Sequence, residues 1–311
     1  MPFSYNSHSG QFCQFGKGHL ESCVLRAIEI GYAYFGMSES MPRYKEEQLY
    51  KEEVEAKKTV QFLQENFEKY IREARRLQHH YKEHIKLLVG METFYFGADS
   101  IQDINDSRQH FNPDYVVGMV RHIRGIPIDI NNDSFTKAEE AVGNTEELFC
   151  EYFDCQYELV TKTHPEVVGK FDLIYTFRKN FELTEVIWEK IDRNIRYIAE
   201  YGGLFEINSK ALTTELDDPY PQRHILRRII ALGGHVTLSD GSYGPTEVGM
   251  FYSSLQAYIE SMNIQKIHFL APTIFPRDRS TPIVNAKPMA KSSMHVLQHA
   301  FWRDSMLFTT C

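Results

Sequence analysis

Segment 4–13 carries the first residues able to do chemistry: an aromatic start, then Asn6, His8, Gly10 and Cys13 in a polar run. An extended stretch closing on a glycine-marked turn predicts a first strand that delivers side chains to a loop. Side chains two apart on a strand share a face. Two imidazoles at positions 6 and 8 would therefore form a seat for a transition metal; this chain has Asn6 and His8, one half of such a pair. Later apolar segments repeat the theme of a polar end. Segment 34–40 closes on Ser40 before a Met-Pro-Arg43 turn, 86–92 on Glu92, and 114–122 on Arg121 and His122. Segment 171–175 follows Lys170, 204–208 carries Glu206 and Asn208, and 235–240 ends on Asp240.

These ends need elements to hold them. Between them lie stretches with apolar residues at helical spacing: 20–31 closing on Gly31, 145–161, 183–201 before Gly202-Gly203, and 223–232 before Gly233-Gly234. The charged segment 45–84 predicts one long or two shorter helices with a solvated face, its histidines among them. Segment 266–270 predicts one more strand. Seven or eight short strands alternating with helices imply βα units around a parallel sheet. If the sheet closes as a barrel, the C-terminal strand ends converge on one face.

Composition narrows the partners. The 311 residues carry 34 Lys and Arg against 42 Asp and Glu, a net charge of −8 that disfavours nucleic acid. Five cysteines without a CxxC pair predict reduced thiols and a cytoplasmic setting. No apolar run reaches 18 residues, so no membrane partner is expected. With no internal repeat or low-complexity linker, one domain is expected over 1–272, with 273–311 as an extension packing on it.

Several blocks resemble the histidinol-phosphate phosphatases of the PHP superfamily. They are His8 to Cys13, Glu39 with Met41-Pro42-Arg43, Gly125 to Asp129, Phe171 to Ile174, Glu206 to Ser209, Pro219-Tyr220-Pro221 and Leu238-Ser239-Asp240. The resemblance implies a distorted (β/α)7 barrel and a cluster of divalent metals that cleaves a phosphomonoester. Departures concentrate where that cluster is held. Asn6, Phe15, Ser40, Arg121, Lys170 and Tyr243 stand where the family pattern has histidines, while His8 and Glu92 remain and His122 and Asp240 neighbour the expected positions. Arg has no lone pair to give and Lys is ordinarily protonated, so neither ligates a metal at neutral pH.

On this reading the multi-metal centre is lost, with no metal ligand and no cofactor expected. The expected activity is metal-independent acid/base chemistry (elimination, isomerisation or cyclisation) on a small polar metabolite: Arg43, Arg121, His122 and the polar groups Asn6, Ser40, Glu206 and Asn208 bind this anionic molecule against Phe15. His8, Glu92, Lys170, Asp240 and Tyr243 are the acid/base groups. Two alternatives stand beside it: an inactive relative that binds a metabolite or protein, and a phosphatase with one metal on His8, Glu92 and either Asp240 or His122.

Overall fold

Segments 34–40 and 86–92, each an apolar run with an internal glycine, become neighbouring parallel strands in the computed structural model, which describes residues 3–270. In chain order the strands are β1 (Phe3–Ser4), β2 (Tyr34–Ser40), β3 (Lys86–Glu92), β4 (Tyr115–Gly118), β5 (His122–Ile123), β6 (Ile126–Pro127), β7 (Val167–Val168), β8 (Leu204–Asn208) and β9 (His235–Ser239). Seven form one sheet in the order β1-β2-β3-β4-β7-β8-β9, every pair parallel. The two edges meet where Ser7 lies opposite Ser242 and the His8 amide donates to the Ser242 carbonyl at 2.7 Å. This is the expected (β/α)7 barrel, with helices between successive strands.

The internal glycines have a packing reason. A Cβ on Gly36 would lie 2.2 Å from the Tyr115 hydroxyl, and one on Gly90 2.4 Å from Tyr115 Cζ. Tyr115 thus fills the barrel across two strands, and its hydroxyl donates to the Tyr5 carbonyl at 2.8 Å. Gly90→Ala is expected to cost about 1–3 kcal/mol through overpacking, read as a lowered urea midpoint. An unchanged midpoint would mean that the ring moves aside freely.

The charged segment resolves into two α-helices, Lys51–Glu55 and Val60–His80. The longer buries Leu63, Phe67, Tyr70, Ala74 and Leu77, a four-three-four-three spacing that keeps one stripe inward. Its Thr59 cap accepts from the Phe62 amide at 3.1 Å. Three helices lie outside the segments whose periodicity predicted one: Ser100–Phe111, Asn132–Val142 and Tyr252–Ser261.

Segment 114–122 does not remain one strand. The ladder stops at Gly118, and β5 and β6 form a hairpin whose turn residues Arg124 and Gly125 have φ of 51° and 77°. A two-residue turn with both φ positive matches the twist of its strands, and it returns the chain to place Asp129 against Arg121. Segment 171–175 is mostly a 3-10 turn, Leu173–Phe177, because β7 ends at Val168. Segment 266–270 is not a strand: it runs beside β9 with the His268 amide donating to Val236 at 2.8 Å. The extension 273–311 lies outside the described residues. Among those described, no helix is long and apolar enough to cross a membrane.

Candidate active site

His8 sits just past β1 at the C-terminal mouth, 1% exposed, between carboxylates from the ends of the next two long strands. Its Nδ1 lies 3.3 Å from Glu39 Oε2, and its Nε2 lies 3.3 Å from Glu92 Oε2 without hydrogen-bond alignment. Tyr243 stacks on the ring at 4.7 Å and 21°. Glu39 is aimed by Ser9, whose amide and hydroxyl both donate to Oε1 at 2.8 Å. Ser40 donates to Glu92 Oε1 at 3.2 Å, and Arg121 Nη1 stands 3.5 Å from the same oxygen. Arg121 is oriented by Asp129, to which its Nε donates at 2.7 Å.

The electrostatics follow from this contact order. Burial alone would lower the His8 pKa, but Glu92 and Glu39 raise it from 6.5 to about 9. Burial alone would raise Glu92, but His8, Arg121 and Lys170 hold it down at about 2, from 4.5. A raised imidazole stabilises the fold fully below pH 6.5 and loses that contribution as pH rises through 9. A depressed carboxyl stabilises it above pH 4.5 and loses that contribution as pH falls toward 2. In chelator-treated protein, the melting-temperature gap between wild type and Glu92→Gln is therefore expected to be widest between pH 4.5 and 6.5 and to narrow on both sides. A gap independent of pH would refute the pairing.

A cleft of about 600 Å³, open to solvent, leads outward from this centre. Its walls include Cys13, Phe15, Glu39, Ser40, Arg43, Tyr50, Phe94, Arg121 and Tyr243. Arg43 packs 4.7 Å from the Phe94 ring centroid and pairs with Glu53. Its Nε, and the Tyr50 hydroxyl, are buried without a hydrogen-bond partner among the described residues. Lys170 is 7% exposed and holds a left-handed backbone, φ 39°. Its amide donates to Glu206 Oε2 at 3.1 Å. Burial, then Arg121, lowers the Lys170 pKa. Asn6 Nδ2, Glu206 Oε1 and Asn208 Nδ2 are likewise buried and without a partner among the described residues.

Several residues serve differently from the roles their positions suggested. Asp240 is fully buried, and its two oxygens accept from the Ser4 and Tyr32 hydroxyls and the Ser242 and Gly249 amides. Those bonds close the barrel and leave it no free lone pair for a proton or a metal. His122 is caged by Phe96 at 4.3 Å and by Tyr50 and Phe94, and burial pushes its pKa down to about 3, so it brings no charge to an anion. Asn208 Oδ1 caps the following turn through the Lys210 amide. Phe15 is 49% exposed at the rim, edge-on to Tyr50, rather than sealing the centre. Sequence reasoning passed over Cys13, Glu39, Glu53 and Asp129 as site residues. Glu39 had a legible signal, since it ends a strand beside Ser40.

The metal cluster implied by the family pattern does not fit these side chains. Arg121 and Lys170 place cations beside Glu92, and four donors occupy the oxygens of Asp240, so among the described residues one group of ligand atoms comes together instead of several. One ion does fit. Ligand atoms of His8, Cys13 and Glu39 all lie within 4.8 Å of one another. This group, and not the trio expected with Asp240 or His122, is the one these residues bring together among the described residues.

Residues 4–210 match the family described as PHP domain. A Schizosaccharomyces pombe relative named "Probable histidinol-phosphatase" is 39% identical over 273 residues, 86% of this chain and 89% of that protein. The Saccharomyces cerevisiae "Histidinol-phosphatase" is 26% identical over 315 residues, covering 89% and 94%. Among solved structures, a Lactococcus lactis histidinol phosphate phosphatase complexed with Zn, L-histidinol and phosphate aligns with a TM-score of 0.63 at 17% identity, over 87% of this chain and 97% of that one. A Listeria monocytogenes structure aligns with a TM-score of 0.70 at 18% identity, over 81% and 99%; both likenesses speak to the fold. Relatives matched along most of the chain bear the phosphatase name, which overturns the expectation of a lyase, isomerase or cyclase. With residues 4–210 matched and a 39% identical relative spanning 86% of its length, this chain belongs to the PHP family.

Proposed function

We propose that this chain is a cytoplasmic phosphomonoester hydrolase of the histidinol-phosphatase type, with the ester phosphate received in the cleft at the barrel mouth. The observation that carries the reading is the set of donors there: Arg121 in the wall, and Arg43 Nε and the Tyr50 hydroxyl buried without acceptors among the described residues. A phosphate supplies acceptors that suit guanidinium donors in number and geometry. The aromatic wall of Phe15, Tyr50 and Phe94 then faces the organic part of the ester.

Hydrolysis forms a bond from water oxygen to phosphorus and breaks the phosphorus–oxygen bond of the ester; the leaving alkoxide needs a proton, and one proton of the water remains on the phosphate released. Arg43 and Arg121 bind and orient the phosphoryl oxygens. Lys170 carries the proton for the leaving oxygen, its pKa lowered by burial and by Arg121. An ion on His8, Cys13 and Glu39 would polarise the phosphoryl group and activate water.

The test is release of inorganic phosphate from histidinol phosphate and a panel of other phosphomonoesters by the purified chain supplied with zinc. Release is expected, and Arg121→Ala is expected to raise KM about tenfold to a hundredfold, as loss of a hydrogen bond to a charged group predicts. Binding of the ester without phosphate release, or no response to any ester, would overturn the reading.

A further inference from the structure

We infer that this chain holds one ion of the zinc class through His8, Cys13 and Glu39, so that a cysteine thiolate ligates the metal. The inference deepens the phosphatase reading and rests on it only for the use made of the ion. The three ligand atoms lie within 4.8 Å of one another, and the His8–Glu39 pair is already at 3.3 Å. Tetrahedral zinc with ordinary bond lengths spaces its ligands by roughly 3.5 Å, so small side-chain rotations complete the set. An imidazole, a thiolate and a carboxylate together select a borderline ion over magnesium or calcium.

Independent features prepare the trio. His8 is almost wholly buried, and its ring is held in one orientation between Glu39 at Nδ1 and Glu92 at Nε2. Ser9 occupies Glu39 Oε1 with two donors, leaving Oε2 beside the His8 ring. Glu92 flanks the other ring nitrogen, the placement by which a carboxylate orients a metal-bound imidazole.

Cys13 is carried to the trio by a pinched loop. The Gly10 amide donates to the Lys17 carbonyl at 3.2 Å, and the Cys13 amide donates to the Ser9 carbonyl at 2.8 Å. A Cβ on Gly10 would lie 2.7 Å from Lys17 Cα, and one on Gly16 2.6 Å from the Ser9 carbonyl carbon. Only glycine lets the two arms approach so closely. Cys13 and Glu39 also line the open cleft, so a fourth position faces solvent and substrate, as a catalytic zinc requires.

The test uses the full chain, stripped with chelator and reloaded with zinc or cobalt(II). The expected results are about one zinc per chain, a sulfur-to-cobalt charge-transfer band, and protection of Cys13 from alkylation by zinc. Cys13→Ser is expected to abolish the band and weaken zinc binding by at least about a hundredfold, whereas Cys150→Ser leaves both intact. Absence of the band in wild type, its persistence in Cys13→Ser, or two or more zinc ions per chain would overturn the inference. Thiolate-bound zinc without phosphate release would support this inference and remove the phosphatase reading. Phosphate release with zinc binding indifferent to Cys13→Ser would do the reverse.

Discussion

Lys170→Ala is expected to lower kcat for phosphomonoester hydrolysis by about 10²–10⁴-fold, the range over which a positioned proton donor contributes. The ammonium is buried beside the centre, close enough to Glu92 to help hold that carboxyl at about 2, and Arg121 lowers its own pKa. A lysine shifted downward surrenders its proton to an alkoxide more readily than an exposed one. The left-handed backbone at Lys170, φ 39°, is a conformation in which a side chain is uncommon, and the Glu206 carboxylate holds the amide in place. A structural role alone would change stability and KM. The distinguishing readout is the pH–rate profile: its alkaline limb, set by loss of the Lys170 proton, should disappear from the residual activity of Lys170→Ala. A kcat within threefold of wild type, with the limb intact, would remove Lys170 from the reaction.

Asp240→Ala should lower the stability of the fold by about 3 kcal/mol or more, measured as a shifted urea midpoint at unchanged slope. Four donors converge on this carboxylate: the Ser4 hydroxyl at 3.0 Å, the Tyr32 hydroxyl at 3.2 Å, the Ser242 amide at 3.1 Å and the Gly249 amide at 3.0 Å. Alanine strands the Ser242 and Gly249 amides in a site with no exposure, and each buried orphan costs about 1–3 kcal/mol. The loss falls on the seam between β1 and β9, where the barrel closes through Ser7 and Ser242. A midpoint within about 0.5 kcal/mol of wild type would show that water satisfies these donors, and that Asp240 is free for another task.

Much of the scaffold could be read along the chain. Strands β2 and β3 are short runs buried almost continuously, as parallel strands covered on both faces are, and helix Val60–His80 keeps its apolar residues on one stripe despite dense charge. The polar strand ends could be read as well, because a residue's place at the end of a local pattern needs no knowledge of its partners. The hairpin of β5 and β6 could not. It depends on Arg124 taking a positive φ, which its side chain does not favour and which the pairing of His122 with Pro127 imposes.

The site divides along the same line. From the sequence alone came the alternation of strands and helices and the polar strand ends, since each follows from neighbours a few residues away; the seven-stranded barrel and the places of Arg121 and Lys170 in its mouth were what the resemblance to the family implied. Only the tertiary structure decided that Asp240 closes the barrel, that His122 is walled in by aromatics, and that Cys13 and Glu39 meet at His8. The reason is distance along the chain: Asp240 takes its hydroxyl partners from 236 and 208 residues away, and Glu39 takes His8 from 31. What a carboxylate or an imidazole does is set by the groups within about 3 Å of it, and at those separations the fold alone chooses them.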